Sequence, residues 1–196
     1  MPMALDEDTD ARAHDAALLT AYANGDPIAA QELSARVLPG VLALARRMLR
    51  DEMEAEDVAQ ETMLRLWKMA PDWDPTRARV TTWTYRVATN LCTDRLRRSG
   101  RWVSEDKAPE QADETPGAED ALLAADRASA LQAAMNQLPD RQRIALQLRH
   151  FEEMGNPQIA ETLETSVEAV ESLLGRAKRA LAAALKPKRQ EIGIEP

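Results

Sequence analysis

The chain has one cysteine, two histidines and seven aromatic residues among its 196. A single cysteine excludes a disulfide within the chain and any zinc site built on several thiolates. The two histidines, His14 and His150, show no HExxH-type spacing, so neither a metal nor a cofactor is expected. No nucleophile–base or paired-acid constellation stands out, and the expectation is a protein that is not an enzyme. The N-terminus is acidic and lacks the apolar stretch of a secretory signal. No uninterrupted apolar run reaches 18 residues. These absences lead to the expectation of a cytoplasmic protein without a membrane segment of its own. Strand signals are nearly missing as well, while Ala, Leu, Glu, Arg and Gln dominate.

What the chain does have is charge, unevenly placed. The formal sum is −8. A negative sum argues against nonspecific coating of DNA, because phosphate binding needs positive charge, net or local. Residues 1–10 and 51–61 carry acids and no base. Residues 77–101 hold seven arginines against Asp94 alone, a local +6. Residues 104–126 carry Lys107 against eight acids, a local −7. Residues 176–189 are basic again, with Arg176, Lys178, Arg179, Lys186, Lys188 and Arg189. Two basic blocks flank an acidic one, a pattern of two binding segments joined by a solvated linker.

The linker is placed at 103–125, which holds Pro109, Pro116, Gly117 and little apolar periodicity. Its 23 residues span at most about 75–83 Å when extended. That length covers roughly two turns of B-DNA. The expected fold is all-α, with two small helical domains at 15–102 and 126–186. An acidic tail precedes them over 1–14, and a C-terminal tail follows over 187–196. Helices are expected near 15–23, 27–38, 41–50, 55–69 and 81–98, then 126–137, 139–151, 157–163 and 167–185. Asn24-Gly25 and Pro39-Gly40 serve as stop signals in that reading.

Three stretches carry candidate function. In the helix over 55–69, Ala59, Met63, Leu66 and Ala70 form a core stripe. Asp57, Gln60, Glu61, Leu64 and Lys68 lie elsewhere. The acids suit a helix N-terminus, but Leu64 among polar groups also suits a partner helix. In the next helix, arginines interleave with aromatics: Trp67, Trp73, Trp83, Tyr85 and Trp102 fall in or beside the basic window. Arginine binds phosphate, an aromatic ring stacks on an unpaired base, and Asn90 offers a donor and an acceptor to a base edge. A core tryptophan beside a solvated basic face is the other reading. Asp94 is expected to pair with a nearby arginine. At the C-terminal end, Ile159, Ala160 and Leu163, then Val167, Val170 and Leu174, mark two short helices with a turn between them. Thr165 or Ser166 would cap the second, and Thr165 with Glu168 fits a capping box.

These stretches together resemble bacterial extracytoplasmic-function sigma factors. Residues 57–67 (DVAQETMLRLW), 82–91 (TWTYRVATNL) and 94–98 (DRLRR) are similar to the family's domain 2. Residues 138–143 (LPDRQR), 148–152 (LRHFE), 158–160 (QIA) and 167–170 (VEAV) are similar to its domain 4. The resemblance implies a protein that binds core RNA polymerase, directs it to promoters and helps open the DNA, under control of an anti-sigma factor and often in a stress response. It implies that Asp57, Gln60, Glu61 and Leu64 face the clamp coiled coil of the polymerase. It implies that the 72–80 loop with Trp83, Tyr85, Arg86 and Asn90 melts the −10 element, and that Arg95, Arg97 and Arg98 hold the adjacent backbone. The helix carrying Ser166, Glu168, Glu171, Ser172, Arg176, Lys178 and Arg179 would read the −35 element, with domain 4 also on the polymerase flap. Three positions depart from the family pattern: Glu164 where the turn usually has Gly, and Glu171 and Leu173 where basic or polar residues are frequent. A stand-alone helix-turn-helix regulator and a sigma mimic remain the alternatives.

Overall fold

The structure is a computed structural model that describes residues 3–76, 78–104 and 130–191. Among these, all regular structure is helical. The chain divides into two compact units, one built on the residues up to Arg101 and the other on the chain from Trp102.

The first unit is a bundle of α1 (Met3–Ala23), α2 (Pro27–Leu49), α3 (Glu52–Met69) and α4 (Val80–Arg98), with a 3-10 turn at Ala70–Asp72. α2 is its centre and packs against α1, α3 and α4. Leu33, Val37, Val41, Leu44 and Met48 recur along one face and are all at least 96% buried. α2 is 23 residues long and apolar enough to cross a membrane by length and composition, yet this stripe is core. α4 presents Thr82, Thr84, Ala88, Thr89 and Cys92 inward, small side chains that let the helix lie close to its neighbours. The buried Thr84 hydroxyl returns to the Thr81 carbonyl at 2.8 Å, which removes its desolvation cost.

Two helices differ from expectation. α2 continues through Pro39-Gly40, where a stop and a second helix were expected. A proline inside a helix costs about 3 kcal/mol through its missing N–H and its ring. Burying Val37 and Val41 on either side gains roughly 1.5–3 kcal/mol each, so tertiary packing outweighs the local signal. α1 begins at Met3, so most of the stretch expected as a tail over 1–14 is helix. Polar contacts hold its middle: Arg36 to Asp15 at 2.6 Å, His14 to Glu32 at 2.8 Å and Arg12 to the Pro75 carbonyl at 3.1 Å. These partners lie 18 to 63 residues away, beyond any periodicity argument. The Asn24-Gly25 stop is observed, with Gly25 at φ +95° and the Asp26 N–H on the Ala21 carbonyl at 3.0 Å. Asp26 then caps α2 by accepting from the Ile28 N–H at 2.9 Å.

The second unit holds α5 over 130–137, α6 (Asp140–His150), α7 (Asn156–Thr162) and α8 (Val167–Glu191). Ile144, Leu148, Ile159, Val170, Leu173 and Ala177 form its core. α8 runs past the helix end expected at residue 185, into the tail expected over 187–196. Of the linker expected over 103–125, residues from 105 onward lie outside the described ones, as does the start of the helix expected over 126–137. Val103 itself is pinned to α6. The Asp140 N–H donates to the Val103 carbonyl at 3.0 Å, and the Val103 N–H donates back to the Asp140 carboxylate. Arg143 pairs with the same carboxylate, which is fully buried. The sequence reading missed this anchor, because nothing in the spacing marks Asp140 as an interior acid.

Candidate nucleic-acid interface

α3 separates two kinds of side chain. Ala55, Val58, Ala59, Met63 and Leu66 point into the bundle. Asp57, Gln60 and Leu64 are exposed, Leu64 at 64%. Glu61 is half-buried and pairs with Arg65 at 2.8 Å. The expected face is therefore brought together on one helix, and Met53, 79% exposed, extends it by spacing toward the N-terminus. An exposed Leu and Met ending a polar stripe give an anchor-and-rim arrangement suited to a protein partner.

α4 brings Trp83, Arg86, Asn90 and Arg97 onto one stripe, at i, i+3, i+7 and i+14. Trp83, Tyr85 and Arg86 are half-buried; Asn90, Arg97 and Arg98 are exposed. Arg95 is placed differently from its expected role on the DNA backbone. It donates to the Glu54 carbonyl at 3.1 Å and lies 4.0 Å from Asp57, so it turns toward α3. Asp94, expected in an ion pair, makes none among the described residues and stays exposed. The arginine nearest it in sequence is the one drawn to α3. The aromatic cluster also splits. Trp67 packs on Tyr22 with ring centroids 4.7 Å apart, a bundle contact rather than a platform for a base. Trp102 belongs to the second unit. The preceding loop is shaped by Asp74, which accepts from the Thr76 N–H at 2.9 Å and its hydroxyl at 2.6 Å.

The second unit forms a helix-turn-helix from α7 and α8. Gln158 starts α7 by accepting from the Gly155 N–H at 2.8 Å. Its end is a Schellman turn: the Thr165 N–H meets the Ala160 carbonyl at 2.9 Å, with Glu164 at φ +50°. Glu164 thus occupies the left-handed position where glycine is cheapest. Ser166, not Thr165, caps α8, accepting from the Ala169 N–H at 3.2 Å. The Thr165–Glu168 box does not form, because the cap sits one residue later. Glu168 bonds its own backbone N–H and the Ser166 hydroxyl, which hold its carboxyl below the usual range. Ser166, Glu168, Glu171, Ser172, Arg176, Lys178 and Arg179 are all exposed. Leu173 is 97% buried, so its departure from the polar pattern is a core contact and not a change at the exposed face.

A two-faced α3, a basic α4 and an α7–α8 pair whose outer face is polar match one family in order. The Sigma-70 region 2 model matches residues 33–102, and the Sigma-70 region 4 model matches residues 128–181. The chain belongs to the extracytoplasmic-function sigma factors. The RNA polymerase sigma-H factor of Pseudomonas aeruginosa is 30% identical over 185 residues, covering 88% of this chain and 94% of that protein. The sigma factor SigL of Mycobacterium tuberculosis is 34% identical over 158 residues, covering 76% and 82% respectively. Among solved structures, CnrH in complex with the cytosolic domain of CnrY superposes with a TM-score of 0.65 at 29% identity, covering 89% of this chain and 98% of that one. The sigma factor RpoE of Bartonella quintana, in complex with the anti-sigma factor NepR, has a TM-score of 0.59 at 22% identity, covering 80% and 96%. As a sigma factor of this family, the protein acts with RNA polymerase and promoter DNA in transcription initiation. Sigma factors are in general regulators rather than enzymes.

Proposed function

We propose that Asp57, Gln60, Glu61 and Leu64 on α3 seat the clamp coiled coil of core RNA polymerase. The observation that carries this reading is Leu64, 64% exposed among polar side chains on a helix whose Val58, Met63 and Leu66 are core. Trp83, Tyr85, Arg86 and Asn90 open the −10 element and hold an unstacked base, while Arg97 and Arg98 bind the adjoining backbone. Unstacking a step costs a few kcal/mol, offset by ring stacking of about 1–3 kcal/mol per base and by phosphate contacts. Ser166, Glu168, Glu171 and Ser172 face the −35 bases, where a carboxylate accepts from a cytosine amine. Arg176, Lys178 and Arg179 take phosphates, and the same domain rests on the polymerase flap. Residues 15–102 and 126–186 act as the two functional domains, joined through 103–125. The protein works in the cytoplasm, performs no bond chemistry and responds to stress through release from an anti-sigma factor. RpoE, similar in fold, was solved with such a partner.

One comparison tests the division of labour. Leu64→Asp should weaken core polymerase binding by tenfold or more, since it buries a charge at a contact centre. Trp83→Ala and Asn90→Ala should leave core binding intact and reduce promoter opening in a permanganate footprint. Equal losses in both assays for all three variants would refute the assignment of two faces. A stand-alone regulator would bind its DNA without core enzyme.

A further inference from the structure

Arg101 lies at the end of the basic block, and its guanidinium meets three acceptors. It donates to the Leu49 carbonyl in the last turn of α2 at 3.1 Å, to the Glu54 carboxylate in the first turn of α3 at 2.6 Å, and to the Ser99 hydroxyl at 2.8 Å. Its backbone N–H closes the end of α4 on the Leu96 carbonyl at 2.9 Å, with Gly100 at φ +67°. The Leu49 carbonyl is one of the groups that a helix end leaves without an intrahelical partner, and the helix dipole favours a cation there. Glu54 also holds Arg95 through its own backbone carbonyl at 3.1 Å. One residue of α3 thus anchors two arginines of α4 and the turn after it. A planar fork meeting separate acceptors fixes direction as well as distance, which an ammonium on a flexible stem does not.

We propose that Glu54 and Arg101 are positioning residues for promoter binding: they register the end of α4 on α2 and α3, and so aim Arg97 and Arg98 outward. Neither touches DNA. The anchor sits one turn before Asp57 on the same helix, so the helix that carries the face toward polymerase also holds the end of the helix that carries the arginines toward DNA. The proposal rests on the placement of promoter contacts on α4. The opposing view is that Arg101 is itself a phosphate contact, as its place in the basic block suggests.

The two views differ in sign for Glu54→Gln. If Arg101 bound phosphate, removing the neighbouring acid would free its charge and tighten promoter binding. A positioning role requires the opposite. Holoenzyme reconstituted with each variant is titrated with a promoter fragment selected by the wild-type holoenzyme, and core affinity is measured in parallel. Glu54→Gln and Arg101→Lys should each weaken promoter affinity by roughly tenfold, the scale of one charge-assisted contact. Core affinity should stay within about twofold of wild type, the spread of a solvated surface change. The charge-conserving Arg101→Lys should be as damaging as Arg101→Ala. Unchanged or tighter promoter binding by Glu54→Gln overturns the proposal. So does tolerance of Arg101→Lys, or a matching loss of core affinity, which marks a general fold defect. Arg97→Ala with Arg98→Ala in the same titration separates the premise. If that pair has no effect, promoter contact on α4 fails and the proposal fails with it. If the pair weakens binding and Glu54→Gln does not, the positioning role alone is lost.

Discussion

Cys92 shows how position decides chemistry at the scale of one residue. It is fully buried on α4, and burial pushes its thiol up from 9.0 to about 12, against a smaller downward pull from Arg95. A thiolate is the reactive form, so the native protein should resist alkylation at neutral pH and react only on unfolding. The raised value means that the folded state holds this proton more tightly than the unfolded chain. The stability it contributes is complete below about pH 9 and is lost as pH rises toward 12. Wild type should therefore lose about 1–2 kcal/mol more than Cys92→Ala between pH 8 and pH 10.5, read from urea midpoints at each pH. Parallel pH profiles would contradict the burial account. A small residue inside a helix was legible in the sequence, whereas the placement of Arg95 against Glu54 and Asp57 was not. A run of arginines reads alike whether its members face solvent or a neighbouring helix.

At the scale of elements, caps and stops were read well where the signal is local. Asn24-Gly25 after α1 and a cap at Ser166 both depend on residues within a few positions. Pro39 is the exception, since packing along the whole of α2 outweighs it. The turn between α7 and α8 offers a direct measurement. Glu164 holds φ +50°. A side chain there costs about 1–2 kcal/mol, and glycine returns part of that as unfolded-state entropy. Glu164→Gly should stabilise the second unit by about 0.5–1 kcal/mol, seen as a higher melting temperature. A lower melting temperature would mean that the Glu164 side chain makes a stabilising contact. Ser166→Ala should act in the other direction by about 1 kcal/mol and raise the Glu168 carboxyl toward its ordinary value, measurable by NMR titration.

For the whole molecule, the net charge of −8 averages segments of opposite sign. The structure sharpens that average. Of the arginines in the 77–101 block, Arg95 and Arg101 turn toward acids on α3, while Arg98 is exposed on the outer side of α4. The free chain therefore offers DNA less positive charge than its arginine count suggests. Its nonspecific binding should be weak, and promoter binding should depend on delivery by polymerase. Phosphate contacts release counterions, so Arg97→Ala and Arg98→Ala should each lower the salt slope of holoenzyme–promoter binding by about one. The check is a fluorescence titration across salt concentrations. Unchanged slopes would place the backbone contacts elsewhere.

The sequence by itself determined the helical class, the division into two units and the two-faced α3, because helical periodicity and composition express these directly. The linked motifs also carried the family. Only the tertiary structure decided that α2 is one helix, that α1 reaches back to Met3 and that Leu173 is core. It also decided that Arg95 and Arg101 turn toward α3 while Arg98 is exposed. Those outcomes depend on partners distant in sequence, such as Glu54 for Arg101 and Pro75 for Arg12. A charge can be counted from the chain, but its direction is set by the neighbour that folding brings to it.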